Sequence, residues 1–376
     1  MTPDDAVELL RGTVAIASPS GSERPVAEHL VRALARCCHT AYVDEVGNAV
    51  GHWGHGPLRV WLLGHLDTVP GHIDVRVEHG VLHGRGAVDA KGSLCTFVAA
   101  LACLDADLTE LLSVTVIGAV GEEAPCSVGA RHAVASLAAP DVVIVGEPSG
   151  WDGITLGYKG TVQVELAATQ PSRHSAVDAA TPAEVLVDAY GSLRQWVEGL
   201  NDAEGEPPSR FETLQLRLLR FDTSDDGLAH GATMRLGFRL PPSVTADDVI
   251  ARCESATDGA ARATEGGERP VTATCSPVPG AVDAYRGDRS GAVHGALRSA
   301  IRAAGGTPRH ILKTGTADMN VVAAAWTAAG VDLPDMVAYG PGDSALDHAP
   351  DERIEVAEYL KAISVVRGAL TALARV

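Results

Sequence analysis

Five short stretches of the chain set acidic residues or histidine just beyond apolar runs. They are Gly64-His-Leu-Asp67, Gly84-Arg-Gly-Ala-Val-Asp89-Ala-Lys-Gly92, Ala119-Val-Gly-Glu122-Glu123, Val145-Gly-Glu147-Pro148 and Asp347-His348. The first follows the apolar residues Trp61–Leu63 and carries His65 and Asp67 two positions apart. On an extended chain, residues i and i+2 project to the same side. A carboxylate beside an imidazole fixes the ring and raises its basicity, which suits a metal ligand. Alone, the pair fits a satisfied polar strand end equally well. Taken with the other four stretches, two histidines and three carboxylates match a pair of closely spaced divalent ions with an open position for water. One carboxylate would then lie between the two ions. Glu122 and Glu123 are adjacent, so on an extended segment they point opposite ways. One can ligate while the other stands over the water as general base.

Positioning such groups takes a large scaffold. A chain of 376 residues exceeds one ordinary core and implies two domains. It is 46% hydrophobic with a mean hydropathy of +0.09, which fits a globular protein with a sizeable interior. Its net charge of −18 argues against a nucleic-acid surface, which needs clustered Lys and Arg, and against an anionic membrane surface. Seven cysteines, an odd number with no Cys-x-x-Cys, read as buried thiols in a reducing compartment. The opening Met-Thr-Pro-Asp-Asp is acidic where a secretory leader is basic, and no apolar run reaches the roughly 18 residues of a membrane helix. A cytoplasmic protein is expected.

Helical periodicity over residues 4–17 is followed by a second helix reaching about Cys37, with Ser20 and Glu23 as its capping box. Strands at Tyr42–Val50, Leu58–Leu63, Ser113–Ala119 and Val142–Val145 alternate with helices at Gly92–Leu104 and Ser127–Ala138. This alternation implies an α/β domain with a doubly wound, largely parallel sheet. After Tyr158 the period changes. Thr161–Ala167, Leu214–Leu219 and Thr233–Leu240 alternate apolar and polar, as antiparallel strands with one solvated face do. With helices at Pro182–Leu200 and Thr245–Ala261 they form an inserted α+β domain over 160–277. Helices at Ser290–Ala304, Val321–Ala328 and Ile354–Leu373 return to the first domain, which therefore comprises 1–159 and 278–376.

The first four stretches, in this order, resemble the motifs of the M20 metallopeptidase family of aminoacylases, deacetylases and carboxypeptidases, and the resemblance spans essentially the whole chain. It implies that His65 and Glu147 bind one metal, that Glu123 and His348 bind the other, and that Asp89 bridges them. It further implies that Asp67 orients His65, that Glu122 is the base, and that a cis peptide follows Asp89. The metals implied are two divalent ions, Zn2+ or alternatively Co2+. In the inserted domain, which the family uses as a lid and dimerisation domain, His174 in Pro171-Ser-Arg-His matches a lid histidine that stabilises the oxyanion across the boundary of a homodimer. Arg239 resembles the arginine that grips a substrate carboxylate, as a planar guanidinium fork can. His230-Gly231 stands where many members have Asn, which makes His230 a candidate substrate contact.

Within the family, Lys313-Thr-Gly-Thr316-Ala-Asp-Met-Asn320, Tyr339-Gly-Pro-Gly-Asp-Ser344 and Gly157-Tyr-Lys-Gly160 look most like one branch. That branch hydrolyses the isopeptide bond between the C-terminal Glu of a small acidic amino-group carrier protein and the α-amino group of lysine or ornithine. Thr316 is its candidate substrate contact. The related N-acetyl-ornithine and N-acetyl-lysine deacetylases share the site and form the alternative, and a non-catalytic binding homologue is a third reading. An acidic carrier calls for a local basic patch, and Arg210, Arg217, Arg220, Arg235 and Arg239 are its candidates. Three other motifs fall away. Asp89 replaces the third Gly of a dinucleotide loop. Gly342-Asp-Ser-Ala-Leu346 lacks the second Gly of a nucleophile elbow. Lys313-Thr-Gly-Thr316 lacks the Gly-rich lead of a phosphate loop.

Overall fold

The computed structural model describes residues 1–172, 179–202, 209–265 and 270–375. It opens with α1 (Pro3–Val14), α2 (Arg24–Leu34), β1 (Thr40–Val43), β2 (Ala49–Gly54), β3 (Leu58–His65), β4 (Arg76–Glu78) and β5 (Val81–His83). Then come α3 (Lys91–Leu101), β6 (Leu112–Ala119), α4 (Val128–Ser136), β7 (Val142–Val145) and β8 (Gly153–Tyr158). The middle of the chain gives β9 (Gly160–Pro171), α5 (Pro182–Asn201), β10 (Gln215–Asp225), β11 (Ala229–Leu240), α6 (Ala246–Arg262) and β12 (Thr272–Val282). The last part gives β13 (Tyr285–Arg286), α7 (Ala292–Ala303), β14 (Arg309–Lys313), α8 (Asp318–Ala328), β15 (Asp335–Ala338), β16 (Arg353–Glu355) and α9 (Val356–Leu373).

Two compact units result. The first comprises Met1–Gly157, Arg286–Leu312 and Ala317–Val376; the second comprises Tyr158–Tyr285 with Lys313–Thr316. The exit from the second unit lies beyond the expected residue 277, because Pro277 falls inside β12, opposite Val164. That strand is at the edge of its sheet, where a missing N–H is tolerated.

The main sheet has the strand order β1-β2-β6-β3-β7-β15-β8-β13, with β14 also pairing β8, and β6, β3, β7 and β15 run parallel. Every residue of β3 from Val60 to His65 is buried, as are all four of β7. Both faces are therefore covered, which is why these strands read as continuous apolar runs. Register puts His65 beside Ala119 and Leu63 beside Val145. The chain thus leaves β3, β6 and β7 at one edge, with Asp67, Glu122-Glu123 and Glu147 just beyond it. Leu30, Phe97, Leu297 and Tyr359 belong to one core, each at 0% exposure. Trp61 and Trp326 meet with centroids 5.4 Å apart at 48°, a tilted aromatic pair worth about 1 kcal/mol beyond its area.

The second unit is a four-stranded antiparallel sheet, β10-β11-β9-β12, with α5 and α6 packed on it. Val162, Val164, Leu166 and Ala168 of β9 face that core, while Gln163 and Glu165 are exposed. Both helices begin in full capping boxes, Thr181 with Glu184 and Thr245 with Asp248.

Five expectations need correcting. The single strand expected over Tyr42–Val50 is a hairpin, with β1 and β2 paired antiparallel about a turn at 44–48. No capping box forms at Ser20 and Glu23: α2 starts after Glu23 without a side-chain cap, and the Ser20 hydroxyl is used elsewhere. β10 runs on to Asp225, because a register shift between Leu218 and Arg220 breaks the alternation without ending the ladder. The last helix starts at Val356, since Ile354 pairs with Leu82 in β16. All seven cysteines are free, yet only Cys95 and Cys253 are buried and Cys126 is exposed.

Candidate functional site

His65 ends β3, and its imidazole is 1% exposed. Its Nδ1 lies 2.9 Å from the backbone carbonyl of Asp67 and 3.5 Å from the Asp67 carboxylate. Facing acceptors there, Nδ1 carries the ring hydrogen and leaves the Nε2 lone pair to point the other way. Nε2 is 3.3 Å from Oδ1 of Asp89. The other oxygen of Asp89 is 3.1 Å from Nε2 of His348, and His348 is 2.9 Å from Oε1 of Glu123. Asp89 therefore stands between two imidazoles with one oxygen toward each.

Asp89, Glu123 and His348 bring ligand atoms within 4.8 Å of one another, the one such group of three among the described residues. Neutral imidazole nitrogens facing carboxylate oxygens leave lone pairs opposed unless a proton or cation lies between them. That donor set, nitrogen and carboxylate oxygen, fits a divalent transition metal. Glu147 lies outside the triad. It is buried, and its charge acts on Glu122.

Asp67 does more than face His65. Its carboxylate accepts from the Ser20 hydroxyl at 2.7 Å and from the backbone N–H groups of Glu122 at 3.1 Å and Glu123 at 3.0 Å. The turn ahead of this pair requires Gly121, whose φ is +72°. One fully buried carboxylate thus fixes both the base candidate and a candidate ligand. The Asp89 loop is held in the same manner. Glu352, 0% exposed, accepts from the N–H groups of Gly86, Val88 and Asp89 at 2.9–3.0 Å and from Arg85 at 2.8 Å. The Asp89–Ala90 peptide bond is cis.

Burial pushes the Glu122 carboxyl well above the ordinary range; His65 opposes this, while Glu147, Asp318 and Asp89 add to it. Burial acts against protonation of His65, yet its contacts to Asp67 and Asp89 outweigh burial and leave its pKa well above the usual value. The Asp89 contact, with Glu123, raises His348 to about 9. Asp89 is lowered in spite of burial, by the two histidines. A buried carboxyl of raised pKa, beside an aspartate whose charge two histidines favour, has the arrangement of a general acid–base among candidate ligands.

In the second unit Arg239 donates to the Thr316 hydroxyl at 2.8 Å, and that hydroxyl donates to the Lys159 carbonyl at 2.9 Å. His230 lies apart from them, 3.4 Å from the Asp225 carboxylate and 3.4 Å from the Ser172 hydroxyl. His174 lies outside the described residues.

Two residues of the site carry no motif signal, and a third, Asp318, lies in the Lys313–Asn320 motif without being singled out there. Ser20 and Glu352 act through long-range hydrogen bonds that no local pattern announces. Asp318 is 2% exposed, and burial raises its pKa to about 6 although His65 and a Ser127 hydrogen bond pull it down. Its burial could be suspected only from its place at an otherwise apolar helix start.

A carboxylate shared by two histidines, with a buried glutamate of raised pKa next to them, fits the site of a metal-dependent hydrolase. The model of peptidase family M20/M25/M40 matches residues 61–372. The LysW-lysine hydrolase of Deinococcus radiodurans is 45% identical over 99% of this chain and 98% of its own length. A putative LysW-lysine/LysW-ornithine hydrolase of Pyrococcus furiosus is 35% identical over 99% and 98%. Among solved structures, an M20 metallo-carboxypeptidase of Sulfolobus solfataricus superposes with a TM-score of 0.76 at 20% identity, covering 99% of this chain and 100% of that one. The chain belongs to peptidase family M20/M25/M40.

Proposed function

We propose that the protein releases a diamino acid, lysine or ornithine, by hydrolysing its amide bond to the C-terminal Glu of a small acidic amino-group carrier protein. The observation that carries this reading is the 45% identity, end to end, to a LysW-lysine hydrolase. Two divalent ions, Zn2+ in the first instance, would be held by His65 and Glu147 on one side and by Glu123 and His348 on the other, with Asp89 between. Bound there, they would polarise the substrate carbonyl and lower the pKa of water. Glu122 takes a proton from the attacking water and delivers it to the departing amine, a shuttle suited to a carboxyl of raised pKa. Asp67 keeps Glu122 and Glu123 aligned through their backbone N–H groups. Arg239, braced by Thr316, receives a substrate carboxylate, and His174 and His230 are further candidate contacts.

Of the lid arginines, Arg235 is paired with Glu165 and Arg220 with Asp222, so Arg210 and Arg217 are left to meet an acidic carrier. A homodimer built on the β10 edge agrees with the exposure of Leu218, Leu219 and Phe221 along that strand. Among the described residues no helix is long and apolar enough to cross a membrane. The seven free thiols agree with a cytoplasmic location.

Mass spectrometry of a carrier–lysine conjugate incubated with the metal-loaded enzyme tests the reading. The conjugate should lose one lysine residue, and Glu122→Gln should retain metal while turnover falls at least about 10³-fold. Cleavage of N-acetyl-ornithine or N-acetyl-lysine with the conjugate left intact would transfer the protein to the deacetylases.

A further inference from the structure

The face of the second unit's sheet opposite α5 and α6 holds a cavity with about 380 Å³ of internal space. Thr161 and Gln163 of β9, Gln215 and Arg217 of β10, and Arg239 of β11 line it, along with the Thr314-Gly315 segment. Register explains the grouping. Arg239 lies opposite Gln215 and Thr161, and Arg217 lies opposite Gly237, which in turn faces Gln163. Gly237 leaves the floor open; a Cβ there would meet Leu219 at 3.0 Å.

The charge of this cavity is unusual for the chain. Asp and Glu outnumber Lys and Arg by 48 to 30 overall, yet none of the described lining residues is acidic. Nearby acids on the sheet are already engaged, Glu165 with Arg235 and Asp222 with Arg220. Arg239 spends one donor on Thr316 and meets no carboxylate among the described residues; Arg217 makes no ion pair among them either. The two guanidinium groups lie near enough that Arg217 adds to burial in lowering the pKa of Arg239. Two like charges held together beside side-chain amides and hydroxyls need anions to relieve them, and a guanidinium fork matches a carboxylate best.

We infer that this cavity binds two carboxylates of one ligand, one at Arg239 with Thr316 and the second at Arg217. The inference rests on the proposed function and narrows its substrate. An amide formed through the side-chain carboxyl of a terminal Glu keeps that residue's α-carboxylate free, and the released amino acid carries another. An acetylated amino acid has only the second. Arg217 is then the specificity-determining residue for a γ-glutamyl acyl group over an acetyl group.

Two measurements test this. With metal-loaded enzyme, the ratio of kcat/KM for γ-glutamyl-lysine to that for Nα-acetyl-lysine should fall at least about tenfold in Arg217→Gln, with partial recovery in Arg217→Lys. A ratio within about twofold of the parent would overturn the assignment. Calorimetric titration of the unmutated enzyme should show glutarate binding at least about tenfold more tightly than butyrate, and equal affinities would also overturn it. Should neither amide be cleaved, the proposed function fails, whereas the glutarate comparison still decides the cavity.

Discussion

Asp318 shows how a single buried group can link stability to pH. Its carboxyl is 2% exposed, and burial lifts its pKa from 3.8 to about 6. A raised folded-state pKa means that the neutral form is preferred in the fold. The associated stability is complete below about pH 4 and is lost as pH rises through 6. Asp318→Asn removes the charge without changing shape. In chelator-treated protein, urea unfolding should show the variant gaining about 2 kcal/mol over its parent at pH 8 and little at pH 4. An equal difference at both values would mean that Asp318 is not held neutral. Asp67 illustrates the opposite case. Its pKa is lowered despite burial because His65, Ser20 and the Glu123 backbone all stabilise its charge.

At the scale of elements, the site is a set of strand ends tied together by two buried acids. Parallel β3, β6 and β7 deliver His65, Glu122-Glu123 and Glu147 to one edge, an outcome of strand order. The Asp89 loop is not part of that sheet, so it must be anchored from elsewhere, and Glu352 does this through three backbone N–H groups and Arg85. Glu352→Ala would strand a guanidinium that is 13% exposed together with three amide donors. We expect a loss of about 3–5 kcal/mol in chemical denaturation and weaker metal retention, although residue 352 binds no metal. Wild-type stability with unaltered metal content would show that the loop is self-supporting.

At the scale of the molecule, two separate cores have formed. One contains Leu30, Phe97 and Leu297, and the other contains Val164, Leu193 and Phe238. All the candidate metal ligands belong to the first unit. Metal binding stabilises only the unit that holds it, by mass action. Calorimetry should therefore resolve a transition that falls on chelation and a second that does not move. A single transition falling as a whole would mean that the two cores unfold together.

The local order of residues already determined the strand-end acids and the two hydrophobic periods, and it carried the expectation of opposed roles for Glu122 and Glu123. These follow from side-chain direction along a strand or helix, which is a property of neighbours in sequence. Tertiary structure alone decided the rest. That the carboxylate of Asp67 grips two backbone amides 55 and 56 residues away, that Ser20 serves it instead of capping α2, and that Glu352 clamps a loop over 260 residues distant are long-range facts. The pairing of Arg217 with Arg239 is of the same kind: a β-ladder register, running through Gly237, sets it. Register depends on which strands meet, and no window of sequence contains both partners.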